Sequence, residues 1–248
     1  MNTELLKNIE EAIKKTVPKK RIAIAFSGGV DSTLISKILN DLEYDITLLT
    51  IGFSESHDIL FAKEVNQKLK FPHYILEIDD DSFEKVSLDI NKTIKTNNLS
   101  WNENCIAFYY VSKLAKSLDL DTVVTANGID ELFCGYDAYR EVFYQGESGL
   151  NKLMDLKLEN EIKMMKAVNI VSSEFKVKIL QPLLSSEFIV FAKTIPISDK
   201  ILDSEDLIRK HVIRKLAQDL GVPEISYTKR KKALQYGTKI HKKLLKTR

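Results

Sequence analysis

A Ser-Gly-Gly-Val-Asp-Ser-Thr segment at residues 27–33 separates the apolar run Arg21–Phe26 from a stretch in which apolar residues recur at helical spacing. The apolar run predicts a buried strand, and the stretch after the segment predicts an amphipathic helix. Two adjacent glycines let the backbone approach a phosphate closely and adopt a positive φ. The first turn of the helix adds backbone N–H groups and a favourable dipole. We therefore predict a phosphate-binding loop, which consists of Ser27, Gly28, Gly29, Val30, Asp31, Ser32 and Thr33.

Two acidic residues follow predicted strands and point to a cation at this loop. Asp31 comes shortly after the first strand, and Asp130 comes shortly after a later apolar run at residues 121–126. The carboxyl ends of parallel strands are where open α/β sheets bind their ligands. Carboxylate oxygens suit Mg²⁺ that also contacts phosphates. The sequence therefore predicts a magnesium site shared by Asp31 and Asp130.

Strand and helix patterns alternate through the first part of the chain. The predicted elements are an N-terminal helix within residues 1–18, strands at 21–26, 46–51, 74–78 and 121–126, and helices at 30–42, 57–69, 83–94 and 105–118. Strands that are apolar almost throughout indicate a parallel sheet with both faces covered by helices. We therefore predict an α/β fold with a doubly wound parallel sheet.

The second part of the chain has a different character. Residues after about 149 show no strong strand pattern and are rich in Leu, Ile, Met and Lys. We predict a nucleotide-binding α/β domain at residues 1–145 and a helical C-terminal lobe at residues 146–248. The tail at residues 228–248 holds nine Lys/Arg and no Asp/Glu, although the whole chain is nearly balanced, with 37 basic and 35 acidic residues. Such a run is either a solvated face, a phosphate-binding element or an RNA-backbone contact.

Cysteine usage and apolar patterning exclude several classes of protein. The two cysteines, Cys105 and Cys134, are far apart, and the sequence contains no CxxC motif. A zinc ribbon, an iron–sulfur cluster and a disulfide scaffold are therefore not expected. The first residues are charged and amphipathic, and no apolar run approaches the roughly 18 residues of a membrane span. We expect a cytoplasmic protein without a membrane partner.

Several ordered motifs resemble one known family. The loop at residues 27–33 is similar to the pyrophosphate loop of the PP-loop ATP pyrophosphatase superfamily, whose fold is adenine nucleotide alpha hydrolase-like. Residues 130–136, Asp-Glu-Leu-Phe-Cys-Gly-Tyr, resemble the Asp-Glu-Leu-Phe-Gly-Gly-Tyr signature of the asparagine synthetase C-terminal (synthase) domain. Further segments that resemble this family are Ile51-Gly52-Phe53, Pro182-Leu183-Leu184, Lys210–Arg214 and Arg230–Gly237.

The resemblance implies an enzyme that uses ATP and Mg²⁺ and forms AMP and pyrophosphate while it adenylates a carboxylate. It implies catalytic roles for Asp31, Asp130, Asn127 and Lys232, with Lys231 in place of Lys232 if the register shifts by one. The ATP-binding residues that it adds to the phosphate-binding loop are Ile51, Gly52, Phe53, Ala126, Gly128 and Lys232. The acceptor would lie near Trp101, Asn104, Asn127 and Glu131.

The sequence departs from the family pattern on the acceptor side. Asn127 stands where the family has a glutamate, and a carboxamide cannot take a proton from ammonium as a carboxylate can. The segment Leu99–Cys105 lacks the family's arginine, and Ser185 replaces an aspartate. Residue 2 is Asn2 in place of the nucleophilic cysteine that heads a glutaminase domain. We therefore expect the enzyme to use free ammonia, a separate glutaminase subunit or another nucleophile.

Three functional hypotheses follow from these patterns. The first is an amide ligase of the asparagine synthetase type. The second is a PP-loop enzyme that activates an RNA base or a cofactor for sulfur or nitrogen transfer, which would need Cys105 or Cys134. The third is a non-catalytic, nucleotide-sensing subunit of an amidotransferase.

Overall fold

The computed structural model describes residues 2–18, 20–229 and 234–246. Its strands are β1 (Arg21–Ala25), β2 (Asp45–Gly52), β3 (His73–Glu77), β4 (Thr122–Val124) and β5 (Lys178–Leu180). They form one sheet in the order β3-β2-β1-β4-β5, and every neighbouring pair is parallel. The chain therefore builds the sheet outward from β1 in one direction and then returns to add β4 on the other side. This topology confirms the predicted doubly wound parallel sheet.

Helices cover the sheet. They are α1 (Asn2–Thr16), α2 (Val30–Asp41), α3 (His57–Leu69), α4 (Asp80–Ile94), α5 (Leu99–Ser117), α6 (Ile129–Leu132), α7 (Ala138–Glu141), α8 (Gly146–Ser173), α9 (Ser186–Thr194), α10 (His211–Asp219), α11 (Glu224–Thr228), α12 (Leu234–Gly237) and α13 (Ile240–Leu244). Short 3₁₀ turns occur at Phe143–Gln145, Pro182–Leu184 and Ile197–Asp199. Within the described ranges, no helix has the length and apolar character needed to cross a bilayer.

Alternating side chains of the central strands divide the core into two layers. Ile22 and Ile24 of β1 join a cluster with buried residues of α1 and α2. Ala23, which points to the opposite face, joins a cluster with buried residues of α5 and α8. Val123 and Val124 of β4 divide between the two clusters in the same way. Because successive strand residues face opposite sides, this apolar run must be covered on both faces, as the structure shows.

Two elements differ from the sequence predictions. The first is β5, which lies in the segment where no strand was expected and pairs with β4 at the edge of the sheet. It has three residues, too few for a periodic pattern. The second is α5, which begins at Leu99 and not near Cys105. Its start is fixed by Asn98, whose side chain accepts a hydrogen bond from the N–H of Trp101 at 3.3 Å. The domain boundary near residue 145 stays a prediction.

The edge strand β5 is held by one side chain of α8. The Asn169 amide accepts a hydrogen bond from the N–H of Ile179 at 3.0 Å and donates one to the carbonyl of Ile179 at 3.1 Å. It thus takes the place of a neighbouring strand for that residue. A short strand with few ladder bonds depends strongly on such a contact.

We expect Asn169→Ala to lower the free energy of unfolding by about 2 kcal/mol, because two backbone groups lose their partner. Urea denaturation measures this change. Asn91→Ala, at an exposed position of α4, is the matched control and should stay within about 0.5 kcal/mol of the wild type. Equal effects of the two substitutions would show that Asn169 does not hold β5.

Candidate active site

The loops after β1 and β4 meet at the carboxyl edge of the sheet. These two strands are neighbours although they are not consecutive, so the loops diverge there and leave a crevice, as in other doubly wound sheets. A cavity of about 310 Å³ occupies this crevice. Its walls come from the predicted phosphate loop, the end of β2, α5, the loop after β4, and α8. The cavity therefore lies beside the residues that were predicted from the sequence to bind the nucleotide.

The phosphate loop has the geometry expected of an anion site. Gly28 has a φ of 77°, and a Cβ at this position would lie 3.1 Å from the carbonyl oxygen of Phe61 on α3. Glycine is therefore required both by conformation and by space. Gly29 precedes α2 and has no side chain to cap it, so the N-terminal end of α2 faces the cavity without an internal cap. Thr33 Oγ1 donates to the carbonyl of Gly29 at 2.8 Å and tightens the loop.

Asp31 and Asp130 converge on one cation, the ammonium group of Lys210. Lys210 Nζ donates to Asp31 Oδ1 at 2.8 Å and Oδ2 at 2.7 Å, and to Asp130 Oδ1 at 3.1 Å. The lysine side chain is 1% exposed, whereas the two carboxylates are 18% and 16% exposed at the cavity wall. The predicted convergence of the two aspartates is therefore present, and a buried positive charge lies between them.

The loop before α10 positions Lys210 between the two aspartates. Arg209 and Lys210 both have positive φ values, 45° and 57°, a conformation that costs energy in residues other than glycine. Asp206 stabilises the loop, because its carboxylate accepts hydrogen bonds from the N–H groups of Ile208 and Arg209 and from His211. Burial by itself would raise the pKa of Asp206, but hydrogen bonds from the N–H groups of Arg209 and Leu202 and from His211 outweigh it and lower the pKa to about 2.

Arg214 anchors the chain that leads to the basic tail. Its guanidinium donates to the carbonyls of Tyr227 and Lys229, and its Nε donates to the carbonyl of Arg209 at 2.8 Å. Arg214 also lines the cavity. Lys232, the lysine that the sequence predicted to be catalytic, and Lys231 lie outside the described residues. The neighbouring Lys229, Leu234 and Gln235 line the cavity, so the chain on both sides of that stretch reaches the site.

The opposite wall holds the predicted acceptor residues Asn104, Asn127 and Glu131. Asn127 Nδ2 donates to Glu161 Oε1 at 2.6 Å. Glu131 Oε2 accepts from the N–H of Gly128 at 3.1 Å, and Glu131 Oε1 accepts from the hydroxyl of Tyr136. Burial and then the carboxylates of Glu131, Asp130 and Glu161 raise the pKa of Tyr136. The Tyr136 hydroxyl therefore stays protonated and acts as a donor.

Several predicted residues support the cavity without lining it. Gly28 and Thr33 belong to the phosphate-binding loop but are not among the residues that line the cavity. Gly128 has a φ of 108°, and a Cβ at this position would lie 2.9 Å from the carbonyl oxygen of Leu183. Among Ile51, Gly52 and Phe53, Ile51 lines the cavity; Gly52 and Phe53 do not.

Phe53 and Trp101, both predicted to lie at the site, do not line the cavity and have contacts elsewhere. The N–H of Phe53 donates to the carbonyl of Thr238 at 3.1 Å, so the structure ties this segment to the C-terminal helices. Trp101 Nε1 donates to Asn160 Oδ1 at 3.0 Å, which places Trp101 at the rim, next to a residue that lines the cavity.

Two groups of site residues were not predicted from the sequence. Lys210 was noted in a family-like segment but received no role, because nothing local shows that its side chain crosses to Asp31. The second group is one face of α8, formed by Lys157, Asn160, Glu161 and Met164, which all line the cavity. Their spacing of three and four residues is helical, and a glutamate on the buried side of a helix was the signal that could have revealed them.

The donor set fits the predicted Mg²⁺. The position of Lys210 Nζ shows that one cation contacts both Asp31 and Asp130. Mg²⁺ is commonly bound by one or two carboxylates, with water and substrate phosphates as its other ligands. No cluster of three or more His, Cys, Asp or Glu residues suited to a metal occurs among the described residues, so phosphates would have to complete the shell.

The two cysteines are placed in the core and away from the cavity. Cys105 and Cys134 are both fully buried, and neither is among the described residues that line the cavity. Burial raises the pKa of each thiol to about 12. A protonated, inaccessible thiol is a poor nucleophile. Cys134 has a positive φ of 59° in the turn where the family signature has glycine.

The doubly wound sheet, the glycine-containing loop and the aspartate pair at the switch point define a nucleotide-binding protein of the PP-loop type. The family model described as Asparagine synthase matches residues 4–169. This match covers more than half of the chain. The protein therefore belongs to the asparagine synthase family.

Curated relatives agree with this assignment, and a solved structure has the same fold. The chain is 26% identical to a Methanocaldococcus jannaschii protein provisionally named asparagine synthetase 1 (glutamine-hydrolyzing), over 93% of this chain and 49% of that protein. It is 22% identical to human asparagine synthetase (glutamine-hydrolyzing), over 83% of this chain and 37% of that protein. The chain thus spans about half or less of their length. A structure of NMN synthetase from Francisella tularensis shares the fold, with a TM-score of 0.50 and 16% identity over 95% of this chain and 75% of that chain.

We expect Lys210→Met to lower the free energy of unfolding by about 3 kcal/mol, because it removes the buried ammonium group that both partly buried carboxylates contact. Urea denaturation at neutral pH measures the loss. Adding Asp31→Asn and Asp130→Asn to the same protein should recover part of it.

Lys215→Met, on the helix α10 that follows Lys210, is the matched control. Lys215 pairs with Asp219 at 2.6 Å on the surface, and its loss should cost less than about 1 kcal/mol. If Lys210→Met were as mild as Lys215→Met, the buried ion cluster would not be a major source of stability.

Proposed function

We propose that this protein is an ATP-dependent ligase that adenylates a carboxylate, releases pyrophosphate and then forms an amide. The observation that carries the proposal is the convergence of Asp31 and Asp130 on one cation position beside the phosphate loop. Membership of the asparagine synthase family supports the same reaction class. Asparagine synthesis is the nearest named activity, and the acceptor side of the cavity determines whether aspartate is the substrate.

The phosphate loop would bind the pyrophosphate end of ATP. The N-terminal end of α2 favours negative charge, and the hydroxyls of Ser27 and Ser32 line the cavity. Asp31 and Asp130 would hold Mg²⁺, which neutralises charge on the phosphates when it is bound. The ammonium of Lys210 is already in place as a fixed positive charge. These groups stabilise the charge that develops on the leaving pyrophosphate.

The carboxylate to be activated would lie on the other side of the cavity. Asn104, Tyr136 and the α8 residues Lys157 and Asn160 supply polar groups there, and Phe108 and Met164 supply apolar surface. Lys157 is a cation that could pair with an acidic acceptor in place of the family's arginine, but as a point charge and not as a bidentate fork. Lys232 would stabilise the charge at the α-phosphate, as the family resemblance implies.

The nitrogen donor would be ammonia, either free or supplied by a separate glutaminase subunit. The sulfur-transfer alternative has less support, because Cys105 and Cys134 are both buried away from the cavity. Analysis of the reaction products distinguishes the nucleotide-sensing alternative from the ligase, because a sensor binds ATP without cleaving it.

The proposal predicts that the wild type converts ATP to AMP and pyrophosphate with Mg²⁺, ammonia and at least one carboxylate from a panel that includes L-aspartate and L-glutamate. Asp31→Asn should reduce this rate by about 100-fold, because it removes a carboxylate that would hold Mg²⁺ at the phosphate site. Asp41→Asn, at the exposed end of the same helix, should leave it unchanged.

A coupled pyrophosphate assay with nucleotide analysis measures these rates. Formation of ADP and phosphate, or no cleavage with any member of the panel, would contradict the proposal. Binding of ATP without cleavage would favour the sensing subunit.

A further inference from the structure

The site lacks the glutamate expected after β4, but another carboxylate reaches the same point. The side chain of Asn127 extends from the loop after β4 and donates through Nδ2 to Glu161 Oε1 at 2.6 Å. Glu161 belongs to α8, which follows much later in the chain. The carboxylate of Glu161 therefore ends within one hydrogen bond of the tip of residue 127.

The side chain of Glu161 faces the cavity and not the surrounding solvent. The residue is 5% exposed and lines the cavity. Burying a carboxylate costs free energy unless partners compensate it. An apolar residue at this position of α8 would avoid that desolvation cost. A buried acid in a cleft, with an identified partner, is typical of a functional group.

Among the described residues, four other acids line the cavity, and each has partners of its own. Asp58 on α3 contacts His57 Nδ1 at 3.1 Å. Asp31 and Asp130 contact Lys210. Glu131 contacts the Gly128 N–H and the Tyr136 hydroxyl, and so holds the turn after β4 together. Lys157 lies one helical turn before Glu161 and lines the same wall. Glu161 is thus the acid that α8 contributes to the acceptor side.

We propose that Glu161 takes the proton released when an amine attacks the activated carboxylate, and so replaces the glutamate that Asn127 lacks. This inference rests on the proposed function. In the step, the nitrogen lone pair forms a bond to the acyl carbon, the bond from that carbon to the AMP oxygen breaks, and AMP leaves with the electron pair. The nitrogen loses one proton, which the Glu161 carboxylate accepts. Asn127 is a positioning residue that holds Glu161 by its amide hydrogen bond.

The test separates activation from amide formation. Acceptor-dependent exchange between ATP and labelled pyrophosphate reports adenylation, and amide formed from ammonia reports the second step. Both use the panel carboxylate that gives the fastest pyrophosphate release with the wild type.

Glu161→Gln keeps an oxygen to accept from Asn127 but cannot take the proton. We expect it to retain exchange within about threefold and to lose about 100-fold in amide formation, as general base catalysis contributes about 10² to 10⁴. Glu159→Gln, on the exposed side of α8 where Glu159 pairs with Lys163, is the matched control and should change neither rate.

A second variant moves the carboxylate instead of removing it. Asn127→Glu combined with Glu161→Gln places an acid at residue 127 and an amide at residue 161. We expect this exchange to restore most of the amide formation that Glu161→Gln loses, which a purely structural role for Glu161 would not explain.

Two outcomes overturn the inference, and they are distinguishable. If the wild type is active and Glu161→Gln lowers exchange and amide formation equally, or lowers neither, Glu161 does not accept the proton although the proposed function stands. If no panel carboxylate supports exchange by the wild type, the proposed function fails and the inference fails with it.

Discussion

The ammonium group of Lys210 joins the two halves of the site. It lies between Asp31, which follows β1, and Asp130, which follows β4, so a residue from late in the chain holds together two loops that diverge at the switch point. A buried ion cluster of this kind is stable only when every member is present. The strained backbone of Arg209 and Lys210 and the hydrogen bonds of Asp206 follow from the need to bring that ammonium to the sheet edge.

The two sides of the cavity have different relations to the family. On the phosphate side, the loop, the aspartate pair and Lys210 form an anion and cation site of the kind that PP-loop chemistry requires. On the acceptor side, Asn127 replaces a glutamate, and Glu161 of α8 reaches the same point from another direction. A negative charge at a fixed place in a cavity can be supplied from either element, because chemistry depends on where the charge lies and not on which residue carries it.

The sequence predicted what local patterns determine. Apolar runs and the Ser-Gly-Gly loop predicted the parallel sheet and the positions of Asp31 and Asp130, because strand burial and a tight glycine turn leave clear local signals. The strand β5 was missed because it has three residues and depends on Asn169. Lys210 and Glu161 were missed as site residues because their roles arise from tertiary contacts across 179 and 34 residues. The hydrogen bond that the Phe53 N–H donates to the carbonyl of Thr238 is a tertiary contact of the same kind.

The most direct test of the central claim is a crystal structure with Mg²⁺ and an ATP analogue that cannot be cleaved between the α- and β-phosphates. The account predicts that the β- and γ-phosphates lie against the backbone of residues 27–33, with Asp31 and Asp130 turned towards the metal. A nucleotide bound outside this crevice, or phosphates that contact neither the loop nor the aspartate pair, would contradict it.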